Sequence, residues 1–219
     1  MTSRRSSFLL AVVAAVTTVA TYLPALGNGF VNWDDELYIV KNYHIRSLGG
    51  SFFRWAFTSF YAANWHPLTW ISHALDYALW GLNPLGHHLT NILLHGLNTF
   101  LVVLLMTKLL TVYREKTGAS FPDEKGTLIA AGVTGLLFGI HPIHVESVAW
   151  VAERKDLLCA FFYLLSILSY VKHAREQKGK GLPFFRRSYL LSIRGGNAPS
   201  MAGFRDACRE GLMPGICVE

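Results

Sequence analysis

Phe8-Leu-Leu-Ala-Val-Val-Ala-Ala-Val-Thr-Thr-Val-Ala-Thr-Tyr-Leu-Pro-Ala-Leu26 is a run of 19 residues without a charge. About 20 apolar residues in a helix cross a hydrocarbon core, so the run reads as a first membrane span. Arg4 and Arg5 precede it, and Trp33-Asp34-Asp35-Glu36 follows a few residues beyond its end. The carboxylates therefore emerge at the far surface if the basic end stays in the cytoplasm. A secretory signal peptide fits the same pattern of Arg-Arg and apolar stretch. No small-x-small cleavage site precedes Asn28, and the parity of the later spans needs this helix, which favours a retained anchor.

Working outward, further apolar blocks follow, with 52% of the 219 residues hydrophobic and only 16% charged. Concentration in blocks argues against one soluble core, because it leaves too much apolar surface uncovered. The expected fold is an all-α membrane protein of about four spans, near 8–26, 89–110, 127–145 and 157–172, within a polytopic domain of residues 1–180. Residues 181–219 lack a membrane-length run or a sustained periodicity and read as a poorly ordered cytoplasmic tail, with a shifted reading frame as one explanation. The net charge of +6 does not indicate nucleic acid, since the Lys and Arg form no stripe interleaved with aromatic residues. Cys159, Cys208 and Cys217 form no paired framework.

The basic residues set the expected orientation. Arg4 and Arg5, then Lys108, Arg114, Lys116 and Lys125, then Lys172, Arg175, Lys178 and Lys180 alternate as cytoplasmic segments. Segments 27–88 and 141–156 then lie on the other side and hold the acid cluster and most histidines. Arg154 and Lys155 run against this rule, which makes them candidates for a specific anionic partner. The first of these loops is rich in aromatic rings, including Trp55, Trp65, Trp70 and Trp80, and residues 68–82 read as a helix lying along the membrane surface. In the second span, Asn91, His95 and Asn98 share one helical face, which turns toward other helices or a wet cavity. Packing between helices is the common use of such a stripe, and a channel or transporter the rarer one.

Each candidate site has a functional and an ordinary reading. Asp34, Asp35 and Glu36 suit a general base with an orienting neighbour, or oxygen ligands for a divalent cation, but a solvated acidic patch past a helix end fits equally. His66, His87-His88 and His141 with His144 suggest zinc ligands, yet no HExxH pattern or Cys partner supports them. Hydrogen bonding to phosphate, sugar or backbone explains them as well. Arg154 and Lys155 suit a phosphate clamp, leaving Glu146, Glu153 or Asp156 as acceptors or metal ligands. Pairing within Glu153-Arg154-Lys155-Asp156 at a helix start is the plainer account.

Several motifs in order carry a family resemblance: Phe30-Val-Asn-Trp-Asp-Asp35, Tyr38-Ile39 and Asn42, Asn64-Trp-His-Pro-Leu-Thr-Trp70, His87-His88 with Asn91 and His95, and His141-Pro-Ile-His-Val-Glu-Ser-Val-Ala-Trp-Val-Ala-Glu-Arg-Lys-Asp156. Over residues 8–178 the chain resembles the transmembrane and tetratricopeptide-repeat (TMTC-type) proteins implicated in protein O-mannosylation, of the GT-C class of glycosyltransferases. The resemblance implies inverting transfer of a sugar from a polyprenyl phosphate to a protein hydroxyl. Asp34 and Asp35 would supply the base and its partner. Arg154 and Lys155, with His66, Glu146 and Asp156, would meet the donor. It implies no firm cofactor beyond an optional divalent cation, and a bacterial inner membrane or endoplasmic reticulum location with the acidic loops extracytoplasmic. Further spans and the 34-residue helical repeats of that family are absent from the sequence, so the chain reads as an N-terminal fragment that is inactive alone. A non-enzymatic membrane scaffold or assembly subunit is the alternative.

Overall fold

The structure is a computed structural model that describes residues 2–118, Ser120 and residues 122–177; the expected tail at 181–219 lies outside the described residues. Seven α-helices occur in the described part: α1 (Thr2–Tyr22), α2 (Gly50–Thr58), α3 (Pro67–Trp80), α4 (Pro84–Thr117), α5 (Glu124–Ile140), α6 (Val145–Ala149) and α7 (Arg154–Gln177). Three stretches are long and apolar enough to cross a membrane: Arg4–Gly27, Pro84–Thr117 and Val151–Arg175. A fourth exists if Glu124–Ile140 and Pro142–Ala149, bent by 45° at His141, form one broken span. The protein is thus an all-α membrane protein. Residues up to Val171 form one compact unit, and beyond it only the last turn of α7 is described.

Helices α1, α4 and α5 pack on one another. Small residues make this possible: Ala11, Ala14 and Ala131 surround Val103 in a buried cluster. A Cβ on Gly135 would collide with Val103, and one on Gly139 would collide with the Thr18 hydroxyl and press on Thr99. Between membrane helices there is little hydrophobic drive, so close backbone approach through small residues supplies the dispersion contacts. Helix α7 meets α4 through Leu164 against Leu101 and Leu105, with Phe161 and Leu168 alongside. Its other face exposes Phe162, Tyr163 and Tyr170.

The element ends follow from local chemistry. Asn83 caps α4 by accepting from Leu85 N at 3.1 Å, with Pro84 in the first turn, and Asp123 caps α5 by accepting from Gly126 N at 2.7 Å. The proline at 142 follows the last residue of α5 by two positions, and the His141 ring nitrogen accepts from Ile143 N at 3.2 Å to start the next turn. The span expected at 127–145 is therefore interrupted at His141.

Helix α3, Pro67–Trp80, begins one residue before the expected interval of 68–82 and ends two residues short of it. Its inward face carries Trp70, His73, Ala74 and Asp76, while Leu75, Leu79 and Leu82 are exposed. That exposure suits a helix resting on a lipid surface. A second core gathers here: Tyr38, Ile39 and Ile45 from the first loop, Phe52 and Ala56 from α2, Trp70 and Ala74 from α3, and Val151 and Ala152 from the second loop. The two loops thus form one layer at one end of the bundle.

Candidate functional site

Asp35 joins the loops. Its Oδ2 accepts from Val31 N at 2.9 Å within its own turn, and its Oδ1 accepts from Ala152 N at 2.7 Å, 117 residues away. The residue is 0% exposed. Burial pushes its carboxyl above the usual carboxylate range, and the two backbone hydrogen bonds and the nearby His88 pull the other way. Past Asp35 the chain closes a wide turn over Glu36–Val40, in which Lys41 N donates to Glu36 O at 2.7 Å. This i→i+5 geometry, common at functional sites, points Tyr38 and Ile39 inward.

Asp34 is half-buried beside this anchor. The Tyr38 hydroxyl feels the charges of Asp34, Glu153 and Lys155, and it accepts a hydrogen bond from Asn64 Nδ2 at 2.9 Å. Burial raises the Tyr38 pKa, with Lys155 and the Asn64 bond opposing, so the phenol stays protonated. Asn64 reaches Tyr38 because Ala62 and Ala63 both adopt positive φ, 52° and 59°, in a tight turn whose Tyr61 and Asn64 exchange backbone hydrogen bonds. Left-handed alanines are costly, and such strain clusters at functional sites.

His66 is also half-buried, at the start of α3. Burial lowers its pKa and Lys155 lowers it further, against Asp156 and Glu153. The acid Asp34, the phenol Tyr38 and the imidazole His66 from the first loop thus share an electrostatic neighbourhood with Glu153, Lys155 and Asp156. Lys155 Nζ pairs with Glu153 Oε1 at 2.5 Å, and Asp156 is exposed with Oδ2 3.4 Å from Ser147 Oγ. Glu146 is exposed in the first turn of α6, where a carboxylate complements the helix dipole. An apolar cleft of about 340 Å³, lined by Asn28, Val31, Trp33, Ala149 and Trp150, lies beside the acidic turn and again draws on both loops.

Arg154 is placed differently from Lys155. It is 0% exposed: Nε donates to Asn91 Oδ1 at 2.7 Å, Nη1 to Ser72 Oγ at 3.1 Å and Asp76 Oδ2 at 2.5 Å, and Nη2 to the His87 carbonyl at 2.7 Å. Its side chain is held by α3 and α4, behind the site. Asp76, absent from the sequence-based set, anchors it and accepts from Thr90 Oγ1 at 2.8 Å.

His73, Asp76 and His87 are buried with potential ligand atoms within 4.8 Å of one another, and neither ring nitrogen of His73 has a hydrogen-bond partner. A cation bound there would share Asp76 Oδ2 with the Arg154 guanidinium, which opposes a second positive charge. The polar stripe on α4 is absorbed by packing: Asn91 Nδ2 donates to the Val148 and Trp150 carbonyls, His95 Nε2 meets the Gly139 carbonyl at 2.9 Å, and Asn98 Nδ2 donates to Leu157 O at 2.9 Å.

Fold and site define the class: an all-helical integral membrane protein with a polar site assembled from two loops at one end of its helix bundle. Within that class the sequence is similar to proteins named TMTC-type protein O-mannosyl-transferases. It is 39% identical over 133 residues to human "Protein O-mannosyl-transferase TMTC4", covering 59% of this chain and 17% of that protein. Drosophila melanogaster "Protein O-mannosyl-transferase Tmtc2" is 37% identical over 163 residues, 70% of this chain and 16% of the relative. Mouse "Protein O-mannosyl-transferase TMTC1" is 33% identical over 171 residues, 73% and 16% respectively. The chain therefore spans about a sixth of the length of these curated relatives. No protein-family profile matches it, and neither does any solved structure.

Proposed function

We propose that this chain is the membrane-embedded portion of a GT-C glycosyltransferase that moves a sugar from a polyprenyl phosphate to a protein hydroxyl with inversion. The observation that supports this reading is the convergence of the two loops, locked by the Asp35 carboxylate on Ala152 N at 2.7 Å, with the charges of Asp34 and Lys155 both felt at the Tyr38 phenol. In this reading Asp34 takes the proton of the attacking hydroxyl. Asp35, with both oxygens committed to backbone amides, positions it. Lys155 balances the negative charge that grows on the departing phosphate, His66 and Asp156, whose charges act on one another, assist it, and Glu146 is a further candidate contact to the donor. Arg154 acts from behind. The apolar cleft at Trp33 and Trp150 offers room for the start of a lipid chain.

The acceptor is a protein hydroxyl by analogy with the relatives' names, and the loops face away from the cytoplasm, in the endoplasmic reticulum or across a bacterial inner membrane. The chain covers about a sixth of its relatives' length, and the transfer is proposed for a full-length protein that contains it. A membrane scaffold is the second reading, favoured by the engagement of the Arg154 donors inside the protein. The two separate in a transfer assay with a full-length protein carrying these residues, a polyprenyl-phosphate sugar and a hydroxyl-bearing peptide. Well-folded Asp34→Asn loses transfer at least about a hundredfold if Asp34 is the base. Unchanged transfer removes it from that role.

A further inference from the structure

Among the described residues, the side chain of Arg154 is the largest charged group sealed from solvent, and it sits at the first residue of α7. Four of its five N–H bonds have partners: Asn91, Ser72, Asp76 and the His87 carbonyl. Those partners belong to α3 and α4, so the start of α7 is fastened where the guanidinium is fastened. Lys155 is the next residue, a helical step of about 100° around α7, and it faces the group of Tyr38, His66 and Glu153. Asp76 is the only charged partner of Arg154 in this set and is itself held by Thr90.

An ion pair this deeply buried is a poor source of stability, because desolvation cancels most of its attraction and a well-packed apolar pair of similar volume does as well. What apolar groups cannot reproduce is direction. The guanidinium fork accepts partners at set angles, so it fixes the rotation and height of α7 relative to α3 and α4.

We propose that Asp76 is a positioning residue: acting through Arg154, it sets the turn that presents Lys155 to an anionic phosphate held between the two loops. This rests on the reading of Lys155 as the group that meets donor phosphate. The pin itself stands on the geometry alone.

The test uses the 219-residue protein in lipid nanodiscs and the double variant Asp76→Leu/Arg154→Met, which removes both charges together and is expected to fold. Acylation of lysines by a water-soluble reagent, read by mass spectrometry, gives the rate at Lys155 relative to exposed Lys41. Release of the pin frees Lys155 from Glu153 and raises that ratio several-fold; an unchanged ratio in the folded double variant overturns the proposal. Asp76→Glu keeps the charge but lengthens its arm, and is the second variant should the first not fold. It gives an intermediate ratio, and a wild-type ratio in folded Asp76→Glu overturns the proposal equally.

Binding of a polyprenyl monophosphate doped into the nanodisc is the second readout. Affinity falls about tenfold in the double variant and about tenfold in Lys155→Gln, with no further loss when they are combined, because both act through one amine. Additive losses contradict the positioning role. A labelling change with no phosphate binding by the wild type contradicts the phosphate reading and leaves the pin standing.

Discussion

The two halves of α4 use opposite chemistry. From Pro84 to Thr99 the buried side is mostly polar, with His87, His88, Asn91, His95, Asn98 and Thr99 sealed inside beside Ile92, whereas from Leu101 to Leu105 the buried residues are Leu101, Val103 and Leu105. Both halves belong to one uninterrupted helix, and the difference lies in what each meets. The apolar half packs against the small residues of α1 and α5 and against Leu164. The polar half meets the ends of short or interrupted helices, and its side chains donate to carbonyls there, at Gly139 in the last turn of α5, at Val148 near the end of α6 and at Trp150 just past it. In a bilayer a free carbonyl finds no water, so interrupted backbone requires donors from a neighbouring helix. The broken span at His141 and the polar stripe on α4 are two sides of one requirement.

That contrast yields ordered expectations. The largest effect falls on Asn91, which serves two carbonyls and the Arg154 Nε. Asn91→Leu removes three buried hydrogen bonds, one of them to a buried guanidinium, and costs about 3–5 kcal/mol, read as loss of folded protein in a thermal or denaturant series. A comparable deletion in the apolar half, Leu105→Ala, costs less, about 2–3 kcal/mol, because it opens a cavity without leaving a buried polar group unpaired. If the two costs are equal, the division between halves is wrong.

A middle-sized effect belongs to the close approach of α5. Gly139→Ala places a methyl on the Thr18 and Thr99 hydroxyls and destabilises by about 1–3 kcal/mol. Gly29→Ala, in open space, changes stability by less than about 0.5 kcal/mol in the same assay.

The smallest effect is pH dependence from the loop layer. Burial holds the His73 pKa well below 6.5 and lowers that of His66, so the unfolded chain takes up protons that the folded one refuses. The folded state is therefore at full advantage above about pH 6.5 and loses stability as pH falls toward the folded pKa values. Asp35, raised above 3.8, works in the opposite sense. Stability measured at pH 7.5 and pH 5.5 should drop at the lower value, and the drop should shrink in His73→Leu; an unaltered drop would assign the dependence elsewhere.

Much of this architecture was legible because it is periodic. The uncharged run at 8–26 appears as α1 and the turn after it, and the i, i+4, i+7 spacing of Asn91, His95 and Asn98 correctly implied a face turned toward other helices. Pro142 falls inside the span expected at 127–145, which the structure breaks after Ile140. The site was legible only in part. Asp35 joins Ala152 across 117 residues and Asp76 meets Arg154 across 78, and no local pattern encodes such pairings. Arg154 and Lys155 look equivalent as adjacent cations, yet one helical step sends the first inside and the second to the loop layer. Tyr38 and Asn64 were named only through the resemblance, because the wide turn at Glu36–Val40 and the left-handed pair Ala62–Ala63 have no clear compositional signal.

Convergence of the two loops is the central claim, and cysteine cross-linking tests it most directly. With Cys159, Cys208 and Cys217 replaced by Ser, cysteines at Asp34 and Lys155 should be joined by a short bifunctional thiol reagent that cannot cross a membrane, added from one side of sealed vesicles. Efficient cross-linking from a single side is the expected result. Labelling of the two positions from opposite sides, with no cross-link from either, would contradict the account.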